Sequence, residues 1–335
     1  MRRILFLIAA AALSAGLVHA QDAENVGNSA QLSIIPRIDV NPYIPFDDGS
    51  GEFSLSNSSL NTLLEGEIGS FSYSMAAQWL SASPSDLYSN IWHADECDFL
   101  KWAYLTWQPE SVGLSLGKQF INVGSYEYEG YDWDMHWDMA STMWNEYQVY
   151  QWGAALNWDY GDESTLILQA CSSPFSEHPF DDGLATYTLY SSRQRGDFSW
   201  LFSASLLGYE PSKYIKMLNY SMAYPLSDRW NVSYEYGYRW SKPLHLREFT
   251  SICTVGYEPS GNLSLTLKYG YESCRPVDGV TGELFSVPEG WFLGLAAHYF
   301  PIDNLRLHGV LAYNPAYCGL SVNVGATYNF TINIK

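Results

Sequence analysis

Between Trp230 and Trp240 every second residue is aromatic or apolar. Trp230, Val232, Tyr234, Tyr236, Tyr238 and Trp240 alternate with Asn231, Ser233, Glu235, Gly237 and Arg239. The same period recurs at Leu263, Leu265, Leu267, Tyr269 and Tyr271, and again from Leu320 to Ile334. A period of two puts one set on each face of a sheet. Short turn signals cut these stretches into hairpins: Gly69-Ser70, Pro109–Ser111, Gly161–Glu163, Gln194–Asp197, Pro225–Asp228, Pro259–Asn262 and Pro301–Asn304. Longer polar and aromatic connections separate the hairpins. The pattern predicts sixteen strands, near 32–41, 60–68, 71–80, 100–108, 112–122, 147–160, 165–169, 184–193, 198–208, 214–224, 229–240, 248–257, 262–272, 291–300, 304–313 and 320–334.

Aromatic residues cluster towards the ends of the apolar sets. Trp230 and Trp240 bracket one strand, and Trp152, Trp158 and Tyr160 flank another. Amphipathic rings at both ends of an apolar band mark the lipid–water interfaces. Ten residues at ~3.3 Å each, tilted by ~40–45°, span roughly 25 Å, which is the height of such a band. In lipid an open sheet edge is not tolerated, so the strands must close. The expected fold is all-β: a transmembrane antiparallel β-barrel of about 16 strands, with short periplasmic turns and longer outer loops. A soluble β-sandwich is the alternative, but Tyr and Trp would not dominate its apolar set. Barrels of this size leave an aqueous channel, and the alternate faces, rich in Ser, Thr, Asn and Gly, suit water.

Residues 1–20 read as a secretory signal peptide. Arg2 and Arg3 precede the apolar run Ile4 to Ala15, and Val18-His19-Ala20 ends on a small residue. The run is shorter than the ~20 residues a spanning helix needs. Residues 21–335 then form a single barrel domain, with no room before the first strand for a separate plug. A net charge of −19 makes nucleic acid a poor partner. Five cysteines are too few for a disulfide scaffold, although Cys274 and Cys318 could reach one another. No metal and no cofactor is expected. The histidines are scattered, no Cys-x-x-Cys pair or Gly-rich phosphate loop occurs, and His93 with Asp95, Glu96 and Asp98 reads as a solvated loop.

The longest interruption runs from 123 to 146, the third outer loop. Glu127, Glu129, Asp132, Asp134 and Asp138 are interleaved there with Tyr126, Tyr128, Tyr131, Trp133 and Trp137. Connections this long in a compact protein are usually functional or disordered, and so many aromatics argue against disorder. On the polar faces, Arg37, Arg239, Lys268 and Arg306 fall in expected strands one, eleven, thirteen and fifteen, which lie on one arc once the barrel closes.

Strand number, turn placement and the long third loop make the chain resemble the sixteen-stranded bacterial porins. Leu116-Gly117-Lys118-Gln119-Phe120-Ile121 is loosely similar to the phosphate-selective porin O/P family. The loop lacks an arginine or lysine ladder, and the chain ends on Lys335 rather than an aromatic residue. The resemblance implies a passive outer-membrane diffusion channel for small hydrophilic solutes or ions, surrounded by lipid and assembled as a homotrimer. It also implies a third loop folded into the lumen, with Glu127, Glu129, Asp132, Asp134, Asp138, Tyr131 and Trp133 at the constriction. Arg37, Arg239, Lys268 and Arg306 would form the basic wall. These bases either oppose the loop acids across the lumen and create a transverse field, or pair on the wall with Asp39, Glu235 and Glu272. The loop rings either stack on sugars or pin the loop to the wall. The rival classes are a lipase- or esterase-like barrel enzyme using His298 and His308 with Ser321 and Asn323, and a surface anchor or adhesin.

Overall fold

The computed structural model describes residues 29–45, 52–54, 58–79, 100–127, 139–141, 149–161, 163–176, 179, 183–241, 248–274, 289–314 and 319–334. The expected signal peptide, residues 1–20, lies outside the described residues. In chain order the strands are β1 (Ser29–Pro45), β2 (Glu52–Ser54), β3 (Ser59–Ile68), β4 (Phe71–Gln78), β5 (Leu100–Trp107) and β6 (Val112–Phe120). Then come β7 (Tyr150–Asp159), β8 (Ser164–Ser172), β9 (Ala185–Arg195), β10 (Phe198–Glu210), β11 (Lys213–Ser227) and β12 (Trp230–Trp240). The last are β13 (Glu248–Ser260), β14 (Leu263–Cys274), β15 (Gly290–Ile302), β16 (Leu305–Asn314), β17 (Gly319–Tyr328) and β18 (Phe330–Ile334).

From β3 to β17 each strand pairs antiparallel with the next, and the first strand closes on the last. Arg37 lies opposite Thr327 and Leu32 opposite Ile332. β17 and β18 are one strand in a single register, interrupted at Asn329, while β2 is a short addition beside β1. Among the described residues, sixteen strands thus close into an antiparallel barrel with one extra strand. Closure removes the sheet edges that would otherwise leave backbone groups unpaired in lipid.

Every expected strand is present, and each turn signal closes a hairpin. At the β9–β10 turn Gly196 has φ 60°, a left-handed conformation that glycine adopts without strain. Several boundaries differ from the sequence reading, β1 among them, which spans Ser29–Pro45 against the expected 32–41. β8 extends over Ser164–Ser172, beyond the expected 165–169, because β7 and β9 pair with it along its length. The third connection runs over 121–149 rather than 123–146. β6 stops at Phe120 and β7 starts at Tyr150, and the Ile121 amide donates to the Val149 carbonyl at 2.8 Å to close the neck.

The outward faces carry an apolar belt. Ile38 is 65% exposed, Val324 57%, Leu168 52% and Leu116 51%. Trp107, Trp158 and Trp230 stand at the turn end of the belt, and Trp291 and Tyr187 at the other. Trp230 stacks on Tyr257 with ring centroids 4.2 Å apart. A continuous apolar belt bounded by aromatic rings is stable against hydrocarbon, not water. The barrel is a transmembrane one.

The core lies inside the barrel. Most inward side chains are small and polar, such as Ser74, Ser115, Thr188, Ser205 and Asn323, and they are buried. At the long-loop end an apolar cluster interrupts them: Ile121, Val123 and Val149 pack with Leu207, Ile215 and Met217. Burying one such aliphatic side chain stabilises by about 1.5–3 kcal/mol relative to water. This cluster seats the third connection inside the barrel.

The closing seam holds a buried polar group. Asp39 of β1 accepts from Arg37 Nε at 2.7 Å, from His308 Nε2 of β16 at 2.8 Å and from Asn323 Nδ2 of β17 at 3.2 Å. One carboxylate therefore ties three neighbouring strands where the first meets the last.

Candidate functional site

Beyond Phe120 the chain turns inward. Ile121 and Val123 are fully buried against the inner faces of β10 and β11. Gly124 then takes φ 69°. A Cβ at this position would stand 3.0 Å from the Phe202 carbonyl carbon and 3.0 Å from the Ser203 nitrogen, so the loop backbone lies directly on β10.

Inner-wall side chains catch the loop carbonyls there. Ser203 Oγ donates to the Val123 carbonyl, as does Asn219 Nδ2 at 2.7 Å. Ser221 Oγ donates to the Gly124 carbonyl at 2.8 Å. On β12, Glu235 Oε2 accepts from Ser125 Oγ at 2.5 Å and from the Glu127 amide at 3.3 Å. Tyr126 OH lies 2.8 Å from Ser199 Oγ.

The Glu127 carboxylate reaches β14. It forms an ion pair with Lys268 Nζ and accepts from the Ser141 amide at 3.0 Å and from Ser141 Oγ at 2.5 Å. Met139 packs against Ala296 of β15 and Val310 and Ala312 of β16. The described parts of the third connection thus run along the inner wall from β10 to β16. Hydroxyl and amide donors hold the backbone, and carboxylates hold both partners. A cavity of about 20 Å³ lies behind this contact, lined in part by Ser125, Glu127, Ser141, Glu235 and Arg239. That is room for one water.

The expected site residues separate into groups. Glu127 does not face the basic wall across the lumen; it touches that wall. The contact follows from Gly124 and Ser125, which lay the chain on the inner face before Glu127 is reached. Glu129, Tyr131, Asp132, Trp133, Asp134 and Asp138 lie outside the described residues. All four bases are on the inner face. Arg37 and Arg306 both neighbour Thr327, and Lys268 sits between the outward Leu267 and Tyr269. Arg37 pairs on the wall with Asp39, Nη2 to Oδ2 at 2.5 Å. Arg239 Nη1 donates to Thr250 Oγ1 at 3.0 Å, and that hydroxyl donates to Glu272 Oε1 at 3.1 Å.

The anchoring residues Ser125, Ser141, Ser203, Asn219 and Ser221 escaped the sequence reading. Their signal is faint: a Gly-Ser pair after two apolar residues, and hydroxyls at inward positions of β10 and β11. His298 and His308 are cross-strand partners, as the enzyme alternative requires. Ser321, however, lies opposite Ala312, four residues along β17 from Gly325, the partner of His308. Four residues of strand are ~13 Å, and His308 Nε2 is bonded to Asp39, so no Ser–His pair assembles there. Cys171 and Cys253 are free thiols. The Cys274 and Cys318 side chains, Cys97 and the His93 cluster lie outside the described parts. Among the described residues no group of His, Cys, Asp and Glu is placed to hold a metal.

No family model and no curated protein matches this chain. Solved structures do. A variant of the Rh. blastica porin superposes with a TM-score of 0.60 at 12% identity, over 90% of this chain and 100% of that one. The outer membrane channel DcaP of Acinetobacter baumannii superposes with a TM-score of 0.63 at 14% identity, over 94% of this chain and 100% of that one. At such identities the likeness is one of fold. The chain has the sixteen-stranded barrel architecture seen in porins.

Proposed function

We propose that the chain is a Gram-negative outer-membrane porin, a passive diffusion channel for small hydrophilic solutes and ions and not an enzyme. Residues 1–20 direct its export through the periplasm, and residues 21–335 form the single barrel domain. Its surroundings are outer-membrane lipid, and a homotrimer is the assembly its resemblance to porins implies. One observation carries the reading: the described parts of the third connection lie on the inner wall of a closed barrel of sixteen strands, a size that leaves an aqueous lumen.

In this reading the third loop is the constriction. Glu129, Asp132, Asp134 and Asp138 supply its net charge, with Tyr131 and Trp133 beside them. Two of the wall bases do not cancel that charge, since Arg37 is paired with Asp39 and Lys268 with Glu127. A ring or ridge of carboxylates at a narrow point enriches cations and repels anions. The similarity of residues 116–121 to phosphate-selective porins is not carried to phosphate, because acids and no basic ladder occupy the loop.

Converting Glu129, Asp132, Asp134 and Asp138 together to their amides is expected to leave channels of similar size. Their reversal potential in a salt gradient should move clearly towards zero. An unchanged reversal potential would remove these residues from the constriction.

A further inference from the structure

We infer that Glu127 is the latch that fixes the base of the third loop, and not a charge that lines the pore. This inference rests on the porin reading for its consequence but on local geometry for its content. The Glu127 carboxylate holds Lys268 Nζ on β14, and it also holds Ser141 through both its amide and its hydroxyl. One side chain therefore joins the outgoing chain, the returning chain and the wall. Residues 127 and 141 are thereby held to the wall at one point.

Glu235 completes the contact from the opposite direction. It is a wall carboxylate that accepts from Ser125 Oγ and the Glu127 amide of the loop. The loop offers a carboxylate to a wall ammonium, and the wall offers a carboxylate to loop N–H and O–H donors. Glu127 and Lys268 are 5% and 13% exposed, so solvent screens their pair little. Met139 seats in its apolar pocket on β15 and β16 beside the same point. A latch of this kind sets how far the remaining loop acids stand from the wall and how steadily they stay there.

Two single variants with opposite changes of charge separate a latch from a lining charge. Glu127→Gln and Lys268→Met both break the ion pair. A latch predicts the same result for both: a noisy open level with rapid flicker in single-channel records. It also predicts about tenfold faster chymotrypsin cleavage at Tyr128, Tyr131, Trp133 or Trp137 in the folded barrel, since one charge-assisted contact is lost. Ser141→Ala, which changes the loop alone, gives a smaller rise in the same direction and covers any failure of a wall variant to fold. Pore-lining charges predict the contrary. Reversal potentials would move in opposite directions for the two variants, with a quiet open level and wild-type cleavage, and that result overturns the latch. The cleavage measurement needs no conductance, so it decides the latch even if the wild-type barrel fails to conduct, an outcome that would sink only the channel reading.

Discussion

Replacing Asp39 with alanine is expected to destabilise the barrel more than any other single change considered. Asp39 is fully buried, and it accepts from side chains on its own strand and on the next two across the seam. Removing it breaks an ion pair at 2.5 Å whose two side chains are both buried. Breaking a buried ion pair in this way costs about 3–5 kcal/mol. The damage falls at the seam where β1 pairs with β17, a contact that local hairpin formation cannot supply. The urea midpoint for unfolding in lipid or detergent micelles should therefore drop sharply, and the heat-modifiable band should convert at a lower temperature. Asp39→Asn should fall between, since it keeps an acceptor for Arg37 but loses the charge. A midpoint for Asp39→Ala within experimental error of wild type would show that the seam is held by its backbone ladder alone.

Gly124→Val is expected to have the largest effect on conduction. Residue 124 has φ 69° and a Cβ site 3.0 Å from wall backbone atoms. A β-branched residue there is strained by about 1–3 kcal/mol, and β10 cannot move aside without breaking its pairing with β9 and β11. The chain from Asn122 to Ser125 should lift off the wall. The bonds from Ser203, Asn219 and Ser221 would be lost with it, each worth about 0.5–1.5 kcal/mol. The strands are untouched, so heat modifiability should stay near wild type. Conductance should rise, cation preference should fall, and chymotrypsin should cut the loop. Gly124→Asn is the informative control, because asparagine tolerates the left-handed region and should give a milder form of each change. A Gly124→Val channel with wild-type conductance and cleavage would mean that this contact does not position the constriction.

The barrel was legible in the sequence because its two solvents are arranged with the period of a strand. Leu263 to Tyr271 shows it plainly: the outward Leu and Tyr residues meet lipid and the inward Ser264, Thr266 and Lys268 are polar, so hydropathy alone assigns both faces. The hairpin turns were equally plain, since Gly, Pro, Asn and Asp mark them. The inner apolar cluster was not. Leu207, Ile215 and Met217 lie on inward positions and break the polar-in rule, because they pack against Ile121 and Val123 from a distant part of the chain. Alternation carries no record of such a partner. The extra length of the third connection was hidden for the same reason, as Ile121 and Val149 look like strand residues until their inward contacts are known. The basic residues were assigned to the correct face from period alone. Their partners could not be, because Lys268 and Glu127 are brought together by the course of the loop backbone, and Asp39 and His308 by closure of the whole sheet.

An open channel narrowed by its acidic third loop should show itself in single-channel current through the refolded protein in a planar bilayer, recorded with a salt gradient. Discrete open steps are expected, with a reversal potential on the cation-selective side. A correctly folded, heat-modifiable barrel that gives no conductance steps would contradict it, and the lumen would then have to be read as plugged.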